Sequence, residues 1–349
     1  MERIATRTQE NATQSGLEKP APQAAFSPVV KISWLRPESS LPMLVESASQ
    51  TTDLIEWARA NRELLEARLL QHGGILFRGF RPLSVDEFEQ LIKTVSDDLL
   101  DYSYRSTPRT RISGKVFTST EYPAHQSIPL HNENAYARDW PMKIWFLSLR
   151  SAATGGETPI ADSRRVYRRI PANIRERFAR HGVMYVRNYG SGLDLSWQEV
   201  FQTTDKTEVE NYCRAAGMDL QWLADDRLRT RQVCQAVAAH PITGEMVWFN
   251  QAQLFHLSRL QPQVRESLLS IFAEEDLPRN VYLGDGREIE AADLDTICEA
   301  YEQEKIVFPW RDGDVLLLDN MLAAHARNPF TGQRQVIVGM AEAYSERIQ

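Results

Sequence analysis

Val315-Leu316-Leu317-Leu318 follows the turn signal Asp312-Gly313-Asp314 and leads to His325-Ala326-Arg327-Asn328-Pro329-Phe330-Thr331-Gly332-Gln333-Arg334. Four consecutive aliphatic residues bounded by glycine and acid read as a strand buried on both faces. The polar stretch holding Pro329 and Gly332 reads as a connection, and Gln335 to Ala341 reads as a second apolar strand. His325 and Arg334 therefore lie between two core strands, Arg334 at the start of the second.

Working outward, Ile144-Trp145-Phe146-Leu147-Ser148-Leu149 predicts another strand, as does Arg229 to Ala238. Pro241 to Glu245 predicts a turn leading into Met246-Val247-Trp248-Phe249. Ordered structure is expected to begin near Val29-Val30-Lys31-Ile32-Ser33-Trp34. Leu54, Trp57, Ala58, Leu64, Leu65 and Leu69 recur at helical spacing, which predicts a helix from Asp53 to Leu70 ending at Gly73-Gly74. Ile75-Leu76-Phe77 reads as a short buried strand closed by Arg78-Gly79-Phe80, and Val85 to Val95 as a helix with Phe88, Leu91 and Ile92 on one side. Further helices are expected over 163–182, 203–216, 262–273 and 290–304. Strands bracket the polar residues while helices cluster early and in the middle. The expected fold is mainly β with flanking helices (α+β), a sheet core with helical layers and insertions. No repeat or Pro/Gly/Ser-rich linker divides the body. Residues 28–349 are expected to form one domain, and residues 1–27, rich in Gln, Thr, Ala, Pro and Glu without periodicity, a flexible tail.

The 349 residues carry a net charge of -7, which disfavours nucleic acid or an anionic membrane as the main partner. Cys213, Cys234 and Cys298 are far apart and form no Cys-x-x-Cys pair, so neither a disulfide framework nor a cysteine-rich zinc site is expected. The start Met1-Glu2-Arg3-Ile4-Ala5 leads into polar residues, and no run approaches the roughly 20 apolar residues of a membrane span. The expectation is a cytoplasmic, soluble protein.

Upstream, Pro129-Leu130-His131-Asn132-Glu133-Asn134 sets an imidazole two residues before a carboxylate. Alone this spacing carries no weight. Seven histidines, each with a 47-in-349 chance of an acid two places on, give about 0.9 chance occurrences, and one is found. In an extended segment, however, side chains at i and i+2 share a side and could grip one ion. With His325 they would complete two imidazoles and one carboxylate, the set that holds Fe(II) on one face and leaves the other open. The bland alternatives are a surface histidine, a solvated glutamate and a core or loop His325. Arg334, at a strand start, could bind a carboxylate bidentately or be an edge charge. Thr154-Gly155-Gly156-Glu157-Thr158 reads as a tight turn whose Thr158 hydroxyl could donate to an anion. Val247 to His256, which includes Asn250, is either a substrate-facing segment or a hairpin arm packed on the core. His125, Asn134 and Arg138 flank the first motif as supporting or simply exposed residues.

Taken as an ordered set, His131-x-Glu133, Gly155-Gly156-Glu157-Thr158 and His325 nine positions before Arg334 resemble the TauD/TfdA superfamily of Fe(II)/2-oxoglutarate-dependent dioxygenases. Gly74-Ile75-Leu76-Phe77-Arg78-Gly79-Phe80 resembles that superfamily's early strand, and the likeness spans roughly residues 70 to 345. Glutamate rather than aspartate at 133, with the wording around His131 and His325, is similar to the clavaminate-synthase-like and SyrP-like branch. The resemblance implies a double-stranded β-helix (jelly roll) core. It implies iron ligands His131, Glu133 and His325, with 2-oxoglutarate bound by Arg334 and assisted by Thr158. Related enzymes often carry a second arginine further along the last strand, where this chain has Val338 and Gly339, so Arg327 is a rival to Arg334. The implied reaction consumes 2-oxoglutarate and O2, releases succinate and CO2, and oxidises an amino acid or its derivative in specialised metabolism, free or tethered to a carrier protein. A carboxylate at 133 implies hydroxylation, desaturation or ring formation rather than halogenation. Asn134, His125, Asn250 and Arg327 are the substrate or supporting candidates, and a homo-oligomer is compatible with the sequence. The rivals are a zinc hydrolase or lyase using the same His/Glu/His set, a non-catalytic jelly-roll binding protein, and the same chemistry on a sulfonate or aryloxy acid.

Overall fold

The computed structural model describes residues 29–36, 39–101, 110–119 and 122–346. The flexible tail expected over 1–27 lies outside the described residues.

An eight-stranded sheet organises the chain, in the order Val30–Arg36, Ser39–Ser47, Gly74–Arg78, Val315–Asp319, Asp139–Arg150, Gln335–Ser345, Val116–Thr118 and Arg111–Ser113. Its pairs are antiparallel except Ser39–Ser47 with Gly74–Arg78, which run parallel. Val315–Asp319 lies inside the sheet and is buried at every position, which is why its sequence is apolar without alternation. Its side chains nevertheless divide between two faces. Val315 and Leu317 pack with Ile75, Phe77, Trp145 and Leu147 against Phe88, Leu91, Ile92 and Val95 of the helix Val85–Val95. Leu316 and Leu318 pack on the other side with Ile144, Phe146, Val336 and Val338. The period of two in a strand produces this division.

The second face meets a three-stranded sheet, ordered Ile128–His131, Ala323–Arg327 and Ile160–Asp162. Ile160 and Ala323 of that sheet share one core cluster with Phe146, Leu316 and Val338 of the large one. Arg78 fastens the large sheet to the turn ahead of Val315. Its Nη2 lies 2.6 Å from Asp314 Oδ2 and both side chains are buried, while Nη2 also donates to Pro309 O at 2.9 Å.

Between Asp162 and Ile306 the chain makes a long excursion. It contains a four-stranded antiparallel sheet, ordered Asp219–Trp222, Leu228–Cys234, Val183–Tyr189 and Arg279–Leu283, with helices around it. The excursion leaves and returns at one place. Ile160 N–H donates to Ile306 O at 3.0 Å and Ile306 N–H to Ile160 O at 2.8 Å.

The expected helix over 53–70 is two helices, Leu54–Ala60 and Arg62–His72. Asn61 breaks it by turning its side-chain amide onto Trp57 O at 2.8 Å, the local competition that disfavours Asn within helices. The second helix ends as expected at Gly73, whose φ of +77° suits glycine. The helix expected over 163–182 is likewise divided, into Ser163–Arg169 and Ala172–His181, because Pro171 drives Ile170 out of the helical region. The strand expected over 229–238 is Leu228–Cys234 followed, after a break, by Val237–Ala239. Among the described residues, no helix is long and apolar enough to cross a membrane.

Candidate metal centre

His131 is the last residue of Ile128–His131 and stands opposite His325 in the antiparallel register with Ala323–Arg327. Directly opposed residues in such a pair project to one face, and the two imidazole centroids lie 4.4 Å apart. Glu133 differs from expectation: it sits in the turn after the strand, not within it. The next residue, Asn134, has φ +56° and reverses the chain. Glu133 Oε2 still comes within 3.7 Å of His325 Nε2. Ligand atoms of His131, Glu133 and His325 all lie within 4.8 Å of one another, the one such His/Cys/Asp/Glu group among the described residues.

These residues fit a divalent metal. His131 Nδ1 is 2.8 Å from Pro129 O. A carbonyl only accepts, so Nδ1 carries the proton and Nε2 keeps a lone pair for a metal. Glu133 and His325 are buried. A desolvated carboxylate beside two imidazoles is the donor chemistry that suits Fe(II).

Side-chain amides hold the turn that carries Glu133. Asn320 Oδ1 accepts from Glu133 N–H at 2.7 Å, and Asn320 Nδ2 donates to Glu133 O and Pro141 O, both at 2.9 Å. Asn132 Nδ2 donates to Asn320 O at 2.6 Å and to Ser163 Oγ at 3.0 Å. From the excursion, Gln251 Nε2 donates to Asn132 O at 2.7 Å and Gln253 Nε2 to Leu130 O at 3.1 Å. These two glutamines take alternate carbonyls of the His131 segment.

Arg334 lies in the same cleft as the histidines, which Phe146, Thr158 and Val338 also line. Its Nε donates to Gly156 O at 2.8 Å, its Nη1 to Ser119 Oγ at 3.3 Å, and its Nη2 is 3.5 Å from Thr158 Oγ1. No carboxylate pairs with it among the described residues. Burial, followed by the nearby Arg327 cation, lowers its pKa to about 10, against the opposing charge of Glu157. Gly156 makes room for it: a Cβ there would meet Arg334 Cδ at 2.9 Å, and its φ is +74°. Trp310 Nε1 donates to Thr158 Oγ1 at 3.0 Å, which leaves the Thr158 hydroxyl proton for another acceptor.

Arg327, the rival cation, is engaged elsewhere. It donates to Tyr122 O, Pro123 O and Gln126 O at 2.7–2.8 Å and so binds the loop 122–126. Among the other candidates, Asn134 stands beside Glu133 and its Oδ1 accepts from Tyr136 OH at 3.3 Å. His125 is exposed next to Gln126. Asn250 is fully buried and spent on Ala236 O and Ala252 N–H. Arg138 donates to Val233 O at 2.9 Å. Sequence reading missed Asn320, and it took Gln251 and Gln253 only as part of the stretch Val247 to His256, either substrate-facing or packed on the core. The signals available were an Asp-Asn pair closing an all-apolar strand and the glutamines beside Asn250.

A model of the taurine catabolism dioxygenase TauD, TfdA family matches residues 41–341. The dapdiamide synthesis protein DdaC of Enterobacter agglomerans is 43% identical over 274 residues, covering 78% of this chain and 83% of that protein. A clavaminate synthase-like protein of Arabidopsis thaliana is 32% identical over 321 residues, covering 88% of this chain and 92% of the other. Among solved structures, PvcB of Pseudomonas aeruginosa superposes with a TM-score of 0.54 at 14% identity, covering 91% of this chain and 93% of that one. That likeness is one of fold.

Proposed function

The chain belongs to the TauD/TfdA family of Fe(II)- and 2-oxoglutarate-dependent dioxygenases, and from that premise we propose that it hydroxylates an amino acid or amino-acid-derived small molecule in specialised metabolism. The observation that carries the site assignment is the meeting of His131, Glu133 and His325 within 4.8 Å. In this reading the three hold iron and Arg334 holds the distal carboxylate of 2-oxoglutarate. A half-buried guanidinium that has no carboxylate partner among the described residues, in the same cleft as the metal set, supports that role. A zinc hydrolase would have no use for it. Thr158 would offer its hydroxyl as a hydrogen-bond donor to the same carboxylate. When bound, iron with 2-oxoglutarate and O2 supplies the oxidant for an unactivated C–H bond, with succinate and CO2 as co-products. The protein orients and shields: Phe146 and Val338 give the cleft apolar walls, and the Nδ1 proton of His131, held by Pro129 O, keeps Nε2 turned to ligation.

The 43% identity to a dapdiamide synthesis protein supports an amino-acid-derived substrate, free or carrier-tethered, over a sulfonate or aryloxy acid. We read the large and three-stranded sheets, sharing one core cluster, as the walls of a jelly roll. Residues 28–349 then form one catalytic domain, because the two halves of the metal set lie on paired strands. The unpaired Cys213, Cys234 and Cys298 support a cytoplasmic setting.

The test is anaerobic addition of Fe(II) and then 2-oxoglutarate to the purified protein. A visible charge-transfer band that grows with 2-oxoglutarate is expected. Its absence in folded protein, or turnover with zinc alone, would overturn the assignment. Screening amino acids, sulfonates and aryloxy acids for succinate release then separates the substrate classes.

A further inference from the structure

We infer that Asn320 is the positioning residue for the carboxylate of the metal set. The inference rests on the reading of Glu133 as a ligand.

Glu133 needs external support because of where it lies. His131 and His325 are held by the ladder between their strands. Glu133 sits in the turn beyond the last ladder pair, followed by the left-handed Asn134. One side chain replaces the missing strand. The Asn320 amide engages both the N–H and the C=O of Glu133, at 2.7 and 2.9 Å, as a neighbouring strand would engage a residue in an antiparallel ladder.

Chemistry dictates the orientation of that amide. Its nitrogen has two protons, and both are used, on Glu133 O and Pro141 O. Its oxygen takes the Glu133 N–H. A flipped amide would set its oxygen against two carbonyls and its NH2 against an N–H.

Asn320 is itself immobile. It is fully buried, its N–H donates to Met142 O at 2.8 Å, and its O accepts from Asn132 Nδ2 at 2.6 Å. The preceding Asp319 accepts at Oδ1 from Met321 N–H and Leu322 N–H. His240 Nδ1 faces two backbone N–H groups, at 3.1 and 3.3 Å, and therefore accepts. Its Nε2 then carries the proton and donates to Asp319 Oδ2 at 3.0 Å. The large sheet thus fixes Asn320, and Asn320 fixes the Glu133 backbone, so the carboxylate reaches the imidazoles without choosing among turn conformations.

The experiment compares metal-free full-length wild type with Asn320→Ala, Asn320→Asp, Glu133→Ala and Asn188→Ala. Asn188 is a buried amide in the four-stranded sheet, holding Glu275 O and Leu277 O away from the cleft. Calorimetric Mn(II) titration gives affinity, the Co(II) visible spectrum reports ligand geometry, and thermal melting of the metal-free forms reports stability. Both Asn320 variants are expected to bind Mn(II) roughly 10–100-fold more weakly, the usual effect of losing a residue that orients a ligand, with an altered Co(II) spectrum. Asn188→Ala is expected to melt lower yet bind as wild type. Should Asn320→Ala not fold, Asn320→Asp, of equal shape, carries the test. Wild-type affinity and spectrum in Asn320→Asp would overturn the inference, as would an equal loss in Asn188→Ala. Wild-type affinity in Glu133→Ala would instead remove the ligand reading on which it rests.

Discussion

His131 and His325 are cross-strand partners: they face each other in the register between Ile128–His131 and Ala323–Arg327, with ring centroids 4.4 Å apart. One antiparallel pairing therefore brings together two residues far apart in the chain, and the metal set depends on that pairing as well as on the side chains.

Replacing either imidazole should remove metal binding while leaving the ladder, whose hydrogen bonds are backbone. His325→Ala is expected to lower Fe(II) affinity by more than the roughly 10–100-fold typical of supporting residues and to abolish succinate formation. Glu133→Ala is expected to abolish hydroxylation. Calorimetric metal titration and a succinate assay check both, and full activity in Glu133→Ala would sink its assignment.

Arg334→Gln should weaken 2-oxoglutarate binding without changing Mn(II) affinity. A hydrogen bond to a charged group contributes roughly 1.5–3 kcal/mol, or about 10–150-fold in affinity. Thr158→Val should have a smaller effect in the same direction. Arg327→Gln should instead raise the protease sensitivity of the loop 122–126, whose three carbonyls it holds. A larger loss of 2-oxoglutarate affinity in Arg327→Gln than in Arg334→Gln would reverse the assignment of the two cations.

Burial, with smaller contributions from Arg68 and Arg164, lowers the His72 pKa from its ordinary 6.5 to about 4. Between these values the unfolded chain binds a proton that the folded chain refuses, so stability falls as pH drops through the window and levels off below it. His72→Leu should therefore melt with a shallower dependence on pH between 6.5 and 4. Identical slopes in the two proteins would show that another group sets the acid response.

The buried Arg78–Asp314 pair predicts a stability effect distant from the cleft. Arg78→Met strands the Asp314 carboxylate and should cost about 3–5 kcal/mol in chemical denaturation. The double variant Arg78→Met/Asp314→Leu should recover much of that loss. A single variant as stable as wild type would show the pair to be dispensable.

The legible parts of the sequence were those with a pattern of their own. Val315–Asp319 announced itself by unbroken aliphatic residues, and Gly73 by its place after a periodic run. The candidate metal set was readable as residue types in order, yet Glu133 was expected in an extended segment and lies in a turn. The Ser39–Ser47 strand was passed over because Pro42 and its serines mask the apolar run Met43-Leu44-Val45. Asn61 and Pro171 each divided a helix whose periodicity continued across the break. What Asn320, Gln251 and Gln253 hold was illegible for a different reason. Their partners are backbone carbonyls and an amide, which every residue offers, so only tertiary placement selects them.

The meeting of Ile160 and Ile306 gives the excursion adjoining ends. A segment that departs and returns at one point is a candidate for exchange between relatives, since a graft need span no gap. Its interior is not interchangeable throughout, because Gln251 and Gln253 reach back to Asn132 O and Leu130 O. A chimaera that imports a foreign excursion should keep its iron only if the donor supplies those two amides.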